Sequence, residues 1–221
     1  MDTLLAFAED LERRDAAAAS SLLEVERLER EVEEIRVHGT AAAAFLASWP
    51  ATLLAQEADE RAASKEQAEA RAEMVEAEAA VERARKESER SAAARAVETA
   101  SDRLHGAEAW VAEARETRAG LESERAARLA ESRRLAAHAA ELGALVRDVP
   151  PPSSGLDGAV EWASRARGEL LLERAALAAE RDVLAREATE LLAGVLGEAF
   201  TATSVAGVRD RLERALGQTS A

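Results

Sequence analysis

Cysteine and tyrosine are both missing from this chain, lysine occurs only at Lys65 and Lys86, and proline is confined to Pro50 and the run Pro150, Pro151, Pro152. Without cysteine there is no disulfide, no thiolate nucleophile and no Cys-ligated zinc, which suits a reducing compartment. Three Phe and three Trp are the whole aromatic supply. β-branched residues are sparse as well, so little in the chain favours strands or a bulky globular core. No stretch approaches roughly 18 apolar residues free of charge, so no membrane-spanning helix is expected. The opening MDTLLAFAEDLERRD lacks the basic start and unbroken apolar segment of a secretory leader. The expected address is cytoplasmic.

Alanine makes up about a quarter of the 221 residues and charged residues 33%. Ala, Leu, Glu and Arg are the strong helix formers, and together they predict an all-α chain. The formal charge of −14 opposes a phosphate backbone, so nucleic acid is not expected as a direct ligand. One locally basic stretch, RETRAGLESERAARLAESRR (115–134), holds six Arg against four Glu. It reads as a solvated helix face laced with i,i+4 pairs.

Apolar residues recur every seven positions. Leu4, Leu11, Ala18, Val25 and Val32 form one column, and Phe7, Leu28 and Ile35 form its companion, which Arg14 and Ser21 interrupt. HGT (38–40) and SWP (48–50) predict an end to this first helix, because proline removes a backbone donor and disfavours helical geometry at Trp49. Beyond it, Ala63, Ala70, Ala77 and Ala84 form a small-residue column beside Met74 and Val81. Later, Ala100, Ala107, Ala114, Leu121, Leu135 and Leu142 form another beside Val97, Leu104, Val111, Ala139 and Val146. The two do not share a phase; the slip falls within KESERSAAARAVE (86–98). After PPPSSGLDG a further column runs through Ala163, Leu170, Leu177, Leu184 and Leu191, flanked by Arg167, Arg174, Arg181 and by Glu173, Glu180, Glu187.

The expected architecture is therefore elongated antiparallel coiled-coil hairpins, a long central helix with both ends folded back. Its segments are an N-terminal heptad helix (1–49), the central helix (50–148), a Pro-rich hairpin turn (149–156), a return helix (157–197) and a connector with a short C-terminal helix (198–221). Thr203 or Ser204 would cap that last helix, with Val205, Val208, Leu212 and Leu216 on one face. Whether the central helix is continuous or bends near 88–96 is left open by the pattern; a bend would give a four-helix bundle. Folding about the prolines would set Leu121, Leu135 and Leu142 against Leu184, Leu170 and Trp162.

Chemistry-bearing motifs are missing. His38, His105 and His138 stand far apart with no HExxH, neither lysine follows a glycine as a P-loop requires, and GxSxG does not occur. Ser153, Ser154 and Gly155 read as turn residues. Trp49, Trp110 and Trp162 read as packing residues rather than stacking platforms. No catalytic, cofactor-binding or metal-ligating residue is expected, and no cofactor. The chain is expected to work as a non-enzymatic structural or interaction scaffold that meets protein partners through helical surfaces and self-associates, most simply as a dimer.

The segment GLDGAVEWASRARGELLLERAALAAERDVLAREATELLAGVLGEAF (155–200), with the Ala/Glu/Arg-rich helix before it, resembles the coiled-coil arms of bacterial SMC-like ATPases. That resemblance implies an alternative function, as an arm fragment or subunit of a DNA-repair or chromosome-organising ATPase. The nucleotide-binding heads of such enzymes have no counterpart in this sequence. A peripheral membrane helix protein is a third class, disfavoured by the acidic charge and narrow apolar columns.

Overall fold

A computed structural model describes residues 2–196 and 205–218. Among the described residues there are four helices and no strand: α1 (Asp2–Arg83), α2 (Glu87–Leu142), α3 (Leu156–Leu196) and α4 (Val208–Gln218). The proposed cap residues Thr203 and Ser204 lie outside the described residues.

The first departure from the sequence expectation is at Pro50. α1 runs through it without a break, and the division into a helix ending at 49 and another beginning at 50 does not occur. Proline inside a helix costs about 3 kcal/mol, but Pro50 is on the exposed side, where water can reach the carbonyl it leaves without a donor. Burial holds the helix together across this point. Leu28, Ile35, Ala42, Trp49, Gln56, Ala63, Ala70 and Ala77 stand seven residues apart, and each is 9% exposed or less. A break at Pro50 would take half of that column out of register with the other half.

The second departure is at the phase slip. The chain leaves the helix at Ala84 and re-enters it at Glu87, so the segment 50–148 is not one helix. Neither Gly nor Pro marks the turn; Glu89 does. Its Oε2 accepts hydrogen bonds from the backbone N–H of Arg85 (3.1 Å) and Lys86 (3.2 Å), satisfying donors that open α2.

The chain divides into two compact units, one of Met1–Thr40 with Arg133–Ala221 and one of Ala41–Ser132. In the second unit α1 and α2 run in opposite directions. Gln56 pairs with Ala114 and Glu66 with Arg103, the number rising on one helix as it falls on the other. Small side chains fill the seam: Ala63, Ala70 and Ala77 from α1, Ala93, Ala100, Ala107 and Ala114 from α2.

In the first unit α2 ends beside α1, with Arg134 on Glu34 (3.1 Å) and His138 near Glu31 (3.4 Å). α3 also runs opposite to α1: Arg167 pairs with Glu33, Arg174 with Glu29 and Arg181 with Asp15. Two separate cores result. One gathers Val25, Leu28, Val32 and Ile35 of α1 with Leu135, Ala139 and Leu142 of α2, Val146 and Val149 of the connector, and Ala159, Trp162, Ala163, Ala166 and Leu170 of α3. The other gathers Ala8 and Leu11 with Leu184, Ala188 and Leu192, closed by Val205, Val208 and Leu212 at α4. Leu184 therefore packs among Ala8 and Leu11, not on Leu121 as folding about the prolines would require. The arginines every seven residues along α3 explain why: their carboxylate partners are on α1.

Two glycines mark close approaches in this unit. Gly39, within the HGT that suggested a helix end, is buried in α1 where Val160 and Leu156 of α3 press against it. Gly158 sits in the first turn of α3, where any side chain would run into the carbonyl of Ser153.

Candidate functional site

The side chains singled out in the sequence do not converge. His38 and His105 are exposed on α1 and α2, while His138 is half-buried, with Nε2 3.4 Å from Glu31 and Nδ1 3.7 Å from Glu141. Among the described residues no three His, Asp or Glu come together in a metal-binding group. Ser153, Ser154 and Gly155 are exposed in the connector, and Gly155 has φ +90°, a left-handed turn conformation that glycine adopts without strain.

The tryptophans divide by role. Trp162 is fully buried in the first unit's core, with its indole N–H lacking an acceptor. Trp49 is buried in the α1 column, with the guanidinium of Arg125 5.2 Å from its ring centre. One turn earlier Phe45 carries Arg128 at 5.9 Å. Trp110 is 37% exposed on α2.

The basic stretch is largely engaged within the chain. Arg118 Nη1 donates to Glu60 at 2.9 Å and Nε to Glu122 at 3.0 Å. Arg128 reaches Glu131 at 3.0 Å, besides covering Phe45, and Arg134 reaches Glu34 at 3.1 Å. Arg128 also occupies the seven-residue position between Leu121 and Leu135 that an apolar residue would otherwise fill; its guanidinium lies over the Phe45 ring and pairs with Glu131.

The densest electrostatic cluster is in the second unit. Arg103 donates to Glu66 at 2.8 Å and to Glu73, with Glu69 at 3.8 Å. The hydrogen bond from Arg103 holds the Glu66 carboxyl below its ordinary 4.5, and the same contacts raise the already high guanidinium value. These groups fix the two helices in register; being exposed, each pair adds little to stability.

The first unit also carries a concavity. A groove of about 780 Å³ opens beside the α1/α3 pair just past the end of α2, with Val25, Leu28 and Leu170 at its base and Leu23, Leu145, Arg27, Arg30, Arg147 and Glu173 around it. Leu23 is 68% and Leu145 52% exposed. The sequence carried a sign of this opening that did not identify it: Arg14 and Ser21, which interrupt the companion column, stand where α2 no longer covers α1.

No family model matches the chain, and neither a curated protein nor a solved structure matches it.

Proposed function

We propose that this chain is a non-enzymatic coiled-coil scaffold, built of antiparallel helical hairpins in an elongated form, which binds protein partners through its helical surfaces and forms a homodimer. The observation that carries the reading is the column from Leu28 to Ala77, one residue in seven buried without interruption over half of α1. Such a repeat positions helices side by side and leaves most of each helix surface free for other proteins. Exposed Leu54, Val75, Leu171 and Leu172 provide apolar contact points on that surface. No helix among the described residues is long and apolar enough to cross a membrane, which is compatible with the cytoplasmic setting proposed here. Neither nucleic acid nor a cofactor is proposed as a ligand.

Sedimentation equilibrium joined to small-angle scattering tests this reading. A dimer with a radius of gyration well above the ~17 Å of a compact chain of this length is expected; a compact monomer at tens of micromolar overturns it.

A second reading, an SMC-like arm without its ATPase heads, draws support from the long α1 and α2 running in opposite directions about a short turn. A neighbouring reading frame encoding such heads, and co-purification with its product, would favour it over an independent scaffold.

A further inference from the structure

α4 occupies a seat built by two other helices. Val205, Val208 and Leu212, three and four residues apart, are no more than 1% exposed and pack with Ala8 and Leu11 of α1 and Leu184, Ala188 and Leu192 of α3. Arg209 ties this row to α1: its backbone N–H donates to Glu12 Oε1 at 3.2 Å, and its guanidinium stands 3.5 Å from Glu9. Asp210, Glu213 and Arg214 on the outer side are exposed. The arrangement is that of an amphipathic helix received by an apolar groove at i, i+3 and i+7.

An 11-residue helix is too short to be stable in water by itself, so α4 is helical where a seat receives it. Nothing in the chemistry of the seat requires it to belong to the same chain. Ahead of α4, Gly207 takes φ +77°, a left-handed conformation that glycine enters and leaves without strain, so the helix can depart from the turn at 205–207 in another direction.

Charge favours a seat on a second copy over docking of whole faces. α4 carries three Arg against two acids, within a chain whose formal charge is −14. Two copies pressed face to face bring acid onto acid over new surface. An exchanged α4 instead brings a basic helix onto an acidic neighbour and reuses Glu9 and Glu12. We propose that two copies of this chain exchange α4, each receiving the other's Val205, Val208 and Leu212 on its own Leu11, Leu184 and Leu192. The inference rests on the homodimer reading above and supplies its interface.

The chain has no cysteine, so introduced thiols report this contact cleanly. Chains bearing Glu9→Cys, refolded together with chains bearing Arg209→Cys and treated with a short bismaleimide, are expected to give a covalent dimer that neither variant gives alone. A chain bearing both substitutions controls for reach and is expected to cross-link mainly between chains at tens of micromolar. Leu212→Asp, which puts a charge into the seat, should weaken dimerisation at least tenfold in sedimentation while circular dichroism retains the signal of α1 to α3. Cross-linking of the doubly substituted chain only within itself, no cross-linking of either kind, or a Leu212→Asp chain that associates like the parent overturns the exchange; a dimer still seen in sedimentation then leaves the homodimer standing. A strict monomer overturns both.

Discussion

The side-chain amide of Gln56 donates a 2.7 Å hydrogen bond to the backbone carbonyl oxygen of Ala114 across the α1/α2 seam. Gln56 is 9% exposed and stands in a column whose next members are Ala63, Ala70 and Ala77. Alanine columns are alike at every heptad and resist sliding poorly. Gln56 is the long polar side chain in that run, so together with the ion pairs of Arg103 and Arg118 it distinguishes one level of the seam from the next.

Gln56→Leu is expected to leave stability within about 1.5 kcal/mol of the parent, since a leucine fills the site and removes a polar group from it. Register should loosen instead. Paired cysteines introduced at Ala70 and Ala100, which stand level across the seam, and at positions one heptad displaced, measure it: cross-linking should broaden to the displaced pair in the variant. An unchanged pattern means that the ion pairs of Arg103 and Arg118 fix the register without Gln56.

Leu135 and Leu184 belong to different cores. Each replaced by Ala should cost about 2–5 kcal/mol, and the two costs should add within about 0.5 kcal/mol. Leu184 should couple to Leu11, with which it shares a core, and not to Leu121. Denaturant unfolding of the two double-mutant cycles decides this; α3 shares a core with α2 only from Leu135 to Leu142, and coupling between Leu121 and Leu184 would extend that pairing to the whole of α3.

Two glycine substitutions should have opposite signs. Gly106 is in α2 with open space where a Cβ would stand, so Gly106→Ala should stabilise by about 0.5–1 kcal/mol through helix propensity. At Gly158 the added methyl meets the backbone of Ser153, and Gly158→Ala should cost about 1–3 kcal/mol through overpacking. Thermal melts that rank the two variants alike would contradict the close approach of the connector to α3.

The Glu66 carboxyl is held below 4.5 by its hydrogen bond from Arg103. A carboxyl lowered in the folded state stabilises the fold above its unfolded value, and that contribution disappears as pH falls through the lower folded value. Acidification from about 4.5 downward should therefore remove it, while neutralising the surplus of acidic groups acts in the other direction. Glu66→Gln should show a shallower acid loss than the parent in unfolding free energy measured against pH. Parallel curves would mean that the Arg103 contacts do not persist in solution.

Helix content was legible from residue types alone. Ala, Glu, Leu and Arg leave no competing local structure, and most of the seven-residue columns mark buried residues, among them Leu11, Ala18, Val25 and Val32 on α1 and Ala163, Leu170 and Leu184 on α3, whereas Leu4, Phe7 and Val81 of the same columns are exposed. The slip between Ala84 and Ala100 likewise marked the neighbourhood of the turn at 84–86. The columns at Ile35 and Ala63 were also in phase across Pro50, so the continuity of α1 was present in the spacing, although the local penalty of proline argued the other way.

Which helix faces which could not be read in the same manner, because an apolar column specifies that a neighbour exists and not its identity. Here Arg167, Arg174 and Arg181 meet acids of α1, and this sets α3 on α1 with two cores instead of one. The groove beside Leu23 and Leu145 follows from the same choice, since it lies where α2 has ended and α3 continues. The sequence by itself determined the helices and their buried faces, through propensity and periodicity acting over a few turns. Only the tertiary structure decided the partners, because contacts between residues more than a hundred positions apart compete on packing and charge pairing that no local window contains.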